Sequence, residues 1–165
     1  MKKFVKELIP YIIIVIVVVL IRSFIATPVI VSGDSMVPTL KDKQLLLLNK
    51  INYRFNDIQR FDVVVIKMDK KEIIKRVIGL PGETLAYYEN KLYVDGHEII
   101  NDYNFETKDF TLKDIGNYNK IPADKYLVLG DNREVSADSR IIGFIDRKDI
   151  EGNVNISLWP IKKIS

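Results

Sequence analysis

Phe61-Asp62-Val63-Val64-Val65-Ile66-Lys67 and the Glu72-Ile73-Ile74-Lys75-Arg76-Val77-Ile78 stretch that follows it decide the fold. Both are rich in β-branched residues, whose stiff side chains suit a pleated surface better than a helix. The first reads as a central strand and the second as its neighbour. Working outward, Val29-Ile30-Val31, Gln44 to Asn49, Lys125 to Gly130, Ile141 to Ile145 and Gly152 to Leu158 read as further short strands. Leu92 to Ile100 reads as a hairpin with Asp95-Gly96 at its turn. Beyond the N-terminal segment no stretch carries a long 3.6-residue apolar period. The expected fold class is therefore mostly β, a core of short strands. Asn101 to Lys120 is polar and dotted with aromatics, and reads as a surface insertion or long loop.

The chain has 165 residues, enough for one domain and an anchor. Its net charge of +3 is small and dispersed, which argues against a nucleic-acid partner. There are no cysteines, so disulfides, thiolate zinc sites and cysteine proteases are excluded. A single histidine, His97, excludes a multi-histidine metal site. The N-terminus is the strongest compositional signal. Leu8 to Ile21 is apolar but for the Tyr11 hydroxyl, and Ser23 to Ala26 extends the run past Arg22. Leu8 to Ile25 as a helix spans roughly 27 Å, close to the hydrocarbon thickness of a bilayer. Phe24 is too bulky for the −3 position of a cleavage site after Ala26, so the segment reads as an uncleaved anchor and not a removed secretion signal. Lys2, Lys3 and Lys6 precede it, which puts residues 1–7 in the cytoplasm, 8–26 in the membrane and 27–165 outside.

Chemistry concentrates in three stretches. Ser32-Gly33-Asp34-Ser35-Met36-Val37-Pro38-Thr39 sets a serine on a turn just beyond the anchor. A serine hydroxyl is a weak nucleophile and needs a base. His97 follows the Asp95-Gly96 turn at the tip of a hairpin and reads as a solvated surface residue. Lys75 shares a strand face with Ile73 and Val77, and burial there would lower its pKa enough for it to act as a base. Arg76 points the opposite way. In Gly130-Asp131-Asn132-Arg133-Glu134-Val135-Ser136-Ala137-Asp138-Ser139-Arg140, residues Ser136, Asp138 and Arg140 lie two apart and, if extended, form one polar face. Asp131-Asn132 followed by Asp138 lacks calcium-loop spacing, and no metal or cofactor is expected. No serine has a lysine three residues later, which excludes a Ser-x-x-Lys site.

With these motifs in this order behind an anchor, the chain resembles type I signal peptidases, the membrane-bound Ser-Lys proteases that remove signal peptides. The resemblance runs nearly end to end and looks Gram-positive-like in its size, single anchor and Gly33. It implies Ser35 as nucleophile and Lys75 as general base. It further implies Ser136 as the residue orienting the lysine, and Asp138 with Arg140 as supports. Met36 would pack beside the catalytic pair, and Arg76 would pair with Asp131 on the far side of the strand. Some members carry a serine two residues before the nucleophile that helps bind the oxyanion; Gly33 stands there, which leaves that duty to the Ser35 N–H. The implied partners are signal peptides of secreted preproteins and membrane lipid, at the plasma membrane. Oligomeric state and the particular preproteins are left open. Two alternatives share parts of this pattern: a non-catalytic assembly factor for surface polymers, which should have lost the serine or the lysine, and a self-cleaving Ser-Lys regulator, which should lack the anchor.

Overall fold

The computed structural model describes residues 2–69, 71–100, 103 and 105–164, with the backbone alone for 2–6, so the side chains of Lys2, Lys3 and Lys6 lie outside the described residues. Helix α1 (Lys2–Phe24) carries Pro10 near its start and Arg22 in its last turn. Its Glu7–Phe24 window has a mean hydropathy of 2.4, and none of it is buried against the rest of the chain. Among the described residues it is the one helix long and apolar enough to cross a membrane.

The chain then runs through β1 (Ala26–Ile30), β2 (Leu45–Asn49), the short α2 (Asn52–Phe55), β3 (Val63–Met68), β4 (Lys71–Gly79), β5 (Leu85–Tyr88), β6 (Lys91–Val94) and β7 (His97–Ile99). It continues with β8 (Phe110–Thr111), α3 (Leu112–Gly116), β9 (Lys125–Leu129), α4 (Ser139–Ile142), β10 (Ile145–Asp146), β11 (Ile150–Trp159) and β12 (Ile161–Lys163). The larger sheet has the order β1-β2-β11-β3-β4-β9-β10, with β12 paired to β11, and the smaller one β7-β6-β5-β8. The expected all-β core is what forms.

β3 shows why its sequence is apolar throughout. Val63 and Val65 pack into one cluster with Met36, Leu40, Leu46, Leu48, Ile74 and Val154. Val64 and Ile66 face the other way, into a cluster with Tyr53, Val77, Tyr126, Val128 and Ile150. Alternating side chains thus fill a core on both faces of the sheet. β3 and β4 pair antiparallel from Val63↔Arg76 to Met68↔Lys71. On its other side β4 meets β9 only between Arg76 and Gly79, so the Lys71–Lys75 half keeps a free edge. β1, the end strand, also keeps a free outer edge.

Three expectations need correction. The strand expected at Val29–Val31 is Ala26–Ile30, although Val31 still exchanges bonds with the start of β2: its N–H donates to Gln44 O at 2.9 Å and its carbonyl accepts from Lys43 N at 2.9 Å. Ile141 to Ile145 is not a strand. Asp138 caps α4 by accepting from Arg140 N, and Gly143 at φ +80° ends it, leaving only Ile145–Asp146 to pair with β9. The polar residues at 136–140 are likewise not an extended face, because Ser139 begins a helical turn.

The insertion at 101–120 lies largely at the surface, as expected, but is not one continuous loop. Asn101, Asp102 and Asn104 lie outside the described residues, but Phe110 pairs with Tyr87 in the smaller sheet and stacks on it at 5.4 Å. Phe110 and Leu112 fill the cluster that joins this sheet to Ile78, Leu127 and Leu129 of the larger one. Thr111 and Asp114 close a capping box on α3. The segment orders because its aromatics have a core to enter. We expect Phe110→Ala to cost about 3 kcal/mol, as truncation of a buried phenylalanine does. Denaturant unfolding of the purified protein measures this, and an unchanged midpoint would mean that Phe110 does not anchor the segment.

Candidate active site

Ser35 sits in a turn held from three directions. Leu40 N donates to Met36 O at 2.8 Å and Val37 N to Asp34 O at 3.1 Å, closing the turn itself. Gly33, at φ +84°, adopts a conformation that disfavours side chains, and its N–H donates to Asp42 Oδ1 at 2.8 Å. Met36 and Leu40 are wholly buried in the core beneath. From across the site, Asn132 donates its backbone N–H to Ser35 O at 3.0 Å and its side-chain amide to Asp34 O at 3.2 Å.

Lys75 comes from the free-edged half of β4. Its Nζ lies 2.8 Å from Ser35 Oγ, and the residue is 3% exposed. Burial holds its pKa below the ordinary lysine value. The positive field of Lys71 pushes the same way, while Asp138 and Asp131 act against it from a distance. No carboxylate forms an ion pair with this amine among the described residues.

The next residue, Arg76, is handled oppositely. Its Nε donates to Asp131 Oδ1 at 2.9 Å and its Nη2 to Oδ2 at 2.8 Å, a bidentate pair with both side chains fully buried. Nη1 donates to Phe61 O at 2.9 Å, and the Tyr103 ring covers the guanidinium at 4.1 Å. Asp138, also fully buried, accepts Arg140 Nε at 2.9 Å, Arg140 Nη2 at 2.9 Å and Gly130 N at 3.0 Å. Gly130 is required there, because a Cβ would stand 2.5 Å from Ser35 O and 2.2 Å from Ser136 Oγ.

Ser35, Lys75, Met36, Ser136, Asp138, Arg140, Arg76 and Asp131 therefore do converge. One expected contact is absent. Ser136 is buried, yet its Oγ has no hydrogen-bond partner among the described residues, so it does not bond Lys75; the Lys75 amine is turned to Ser35 instead. The Ser35 N–H likewise donates to no protein acceptor among the described residues. His97 is exposed at the start of β7, remote in the fold from this cluster.

Sequence reasoning missed Asn132, which ties the serine turn to the 130–140 loop, and Arg133. The latter is buried between the Tyr87 and Phe105 rings, donates to Gly130 O at 2.9 Å and bonds the Thr107 hydroxyl. Asn132 could have been found from the habit of Asn side chains to bond nearby backbone. Arg133 could not, since apart from Gly130 its partners come from β5 and the insertion, distant in the sequence.

Ser35 and Lys75 open onto a groove of about 400 Å³. One wall is Val29, Ile30 and Val31, the other Ile73 and Ile74, with Met36, Val135 and Ala137 around the serine and Lys71 and Glu72 at the rim. Two free strand edges facing across an apolar cleft can take an extended peptide by backbone pairing. A nucleophile, a desolvated amine and an unspent backbone N–H beside it can carry out acyl transfer.

The sequence matches the profile of the family described as "Signal peptidase, peptidase S26" over residues 2–159. It is 39% identical to a signal peptidase I of Bacillus caldolyticus over 167 residues, spanning 94% of this chain and 92% of that one. It is 40% identical to a signal peptidase IB of Staphylococcus aureus over 177 residues, spanning 96% and 93%. A crystal structure of a signal peptidase I from Enterococcus faecalis superposes with a TM-score of 0.55 at 36% identity, covering 59% of this chain and 97% of that one. A β core built around an apolar groove, with a profile match and relatives that span almost its full length, settles the relationship: the chain belongs to the signal peptidase family, peptidase S26.

Proposed function

We propose that this protein is a membrane-bound serine endopeptidase that cleaves signal peptides from preproteins after small residues at −3 and −1. Ser35 is the nucleophile and Lys75 the base. The observation that carries this reading is the 2.8 Å approach of Lys75 Nζ to Ser35 Oγ, with the amine buried and free of any carboxylate partner among the described residues. α1 anchors the chain with its N-terminus in the cytoplasm and residues 27–165 outside.

The substrate lies extended between the edges of β1 and β4, its small side chains in the shallow apolar cleft. Neutral Lys75 takes the Ser35 proton as Oγ attacks the scissile carbonyl carbon. The oxyanion is held by the Ser35 N–H. As the C–N bond breaks, the Lys75 ammonium returns its proton to the departing amine, which becomes the new N-terminus of the mature protein. The signal peptide is left as an ester on Ser35. Water then attacks the ester, giving its proton to Lys75. The signal peptide leaves with a free carboxylate, and the proton returns to Ser35 Oγ. While Ser35 is acylated, the Lys75 amine needs another neighbour, and the unspent Ser136 hydroxyl is suited to that duty. Arg76 with Asp131 holds β4 against the 130–140 loop, Asp138 with Arg140 and Gly130 N closes that loop on itself, and Met36 forms the floor beside the serine.

Ser35→Ala is expected to abolish cleavage of a preprotein bearing Ala-x-Ala, assayed with purified enzyme in detergent, with the fold intact. Lys75→Arg should be equally inactive, because arginine stays protonated at any accessible pH. For the wild type, kcat/KM should rise with pH and level off once Lys75 is deprotonated, at a pH below the ordinary lysine value of about 10.4. An active Lys75→Arg enzyme would remove lysine from the role.

Lys75 should also be a liability to stability. Its folded pKa lies below its unfolded one, so the unfolded chain binds more protons between the two values and stability rises with pH across that window. Lys75→Met is expected to melt higher than wild type at neutral pH, with the difference shrinking as pH approaches the unfolded pKa. Thermal unfolding across that range checks the sign, and a Lys75→Met protein that melts lower throughout would mean the amine is paired, not desolvated.

A further inference from the structure

A second cavity, of about 330 Å³, opens away from the groove beside the end of α1. Lys50, Tyr53, Arg54, Arg147, Ile150 and Glu151 line it, giving three cations against one carboxylate. Its position relative to α1 is fixed by two contacts. The Lys50 N–H donates to Ile25 O at 2.9 Å, directly beyond the helix. The Arg54 guanidinium stands over the ring of Phe24, the last helical residue, at 5.4 Å. The cavity therefore lies at the level where α1 ends.

The cations are poorly spent. Among the described residues the Arg54 side chain makes no hydrogen bond to a protein acceptor and joins no ion pair. A guanidinium over an aromatic ring keeps its in-plane N–H donors open. Lys50 has only Glu151, at 4.0 Å, the outer limit of an ion pair. Arg147 commits one Nη2 to Tyr53 O at 2.8 Å and rests over the Tyr53 ring at 5.5 Å, which fixes it in place. Beside them on the same short turn, Phe55 is 80% exposed and Ile51 37%. A concave cluster with excess positive charge and forked donors suits a tetrahedral oxyanion. Exposed apolar side chains next to it suit the acyl region beneath a headgroup.

We propose that Lys50, Arg54 and Arg147 form a binding site for the phosphodiester headgroup of an anionic membrane lipid. The inference rests on the reading of α1 as the membrane anchor. Occupied, the site would hold the catalytic domain at one tilt and height over the bilayer, with Phe55 and Ile51 turned into it.

The test uses the full chain in uncharged detergent micelles, with short-chain phosphatidylglycerol, short-chain phosphatidylcholine or inorganic phosphate added, and thermal unfolding as the readout. Phosphatidylglycerol should raise Tm by several degrees, and the other two by much less, since a ligand that binds only the folded state stabilises it. In the Lys50→Gln/Arg54→Gln double variant that shift should vanish, while Tm without lipid and cleavage of a soluble peptide stay at wild-type values. Arg147 is spared because it holds Tyr53. Equal shifts with phosphatidylcholine, or a phosphatidylglycerol shift that survives in the double variant, would overturn the site. An equal shift with inorganic phosphate would make it a free-anion site and overturn the lipid assignment. Release of the wild-type chain from native membranes by alkaline carbonate would overturn the anchor and this inference with it, whereas loss of cleavage alone would bear only on Ser35 and Lys75.

Discussion

Arg76 and Asp131 form a bidentate ion pair with neither side chain exposed, and the site's geometry hangs on it. Arg76 is the neighbour of Lys75 on β4, and Asp131 is the neighbour of Asn132, which grips the serine turn through two hydrogen bonds. Closing the pair therefore brings the strand carrying the amine and the loop steadying the hydroxyl to one distance. Burying two charges is costly, and a hydrophobic pair of similar size could hold the elements as firmly. What an ion pair adds is direction. Two parallel N–H···O bonds admit one register, and a slip of one residue on β4 would exchange the places of Lys75 and Arg76.

The same region sorts its charges so that Lys75 is left without an ion pair among the described residues. Arg76 takes Asp131, and Arg140 takes both oxygens of Asp138, one of which also accepts from Gly130 N. Both carboxylates near Lys75 are thereby spent on stronger, forked partners. Their fields still reach the amine, but burial outweighs them and its pKa stays depressed. A free carboxylate at this point would pair with the amine and raise its pKa again. The arginines thus serve a lysine they do not touch. The aromatic cover of Arg76 by Tyr103, and of Arg133 by Tyr87 and Phe105, extends the arrangement into the smaller sheet, so the insertion is part of what keeps the loop in place.

Much of this was legible in the residues. The Val63–Ile66 run announced a strand buried on both faces, and Asp95-Gly96 announced its hairpin, because both signals are local. Ser35 and Lys75 were legible as chemistry, and their approach as an implication of resemblance. Ser136, Asp138 and Arg140 were misread because a spacing of two fits one face of a strand, while a capping aspartate leading into a single helical turn leaves almost the same pattern. Ile141 to Ile145 went with them. The insertion was misread for another reason. Phe110 and Leu112 look like stray apolar residues in a polar stretch, and their partners lie in β5, β6 and β9, too far along the chain for periodicity to register. The Ser136 contact is the finest difference: the amine meets the Ser35 hydroxyl and not that of Ser136.

The last constraint joins the groove to α1. A single residue, Ile25, separates α1 from β1, and its carbonyl is bonded to Lys50 at the far end of β2. The first wall of the groove therefore follows α1 directly, with no linker between them. Five residues of strand, at about 3.4 Å each, fix how far from the end of α1 the cleft can lie. If α1 spans a bilayer as proposed, a substrate whose own apolar segment crosses it too would present its following residues at a height set by helix length. An enzyme that must meet them gains from having its cleft height set in the same way, since every freely jointed residue between anchor and groove would have to be ordered again at each encounter.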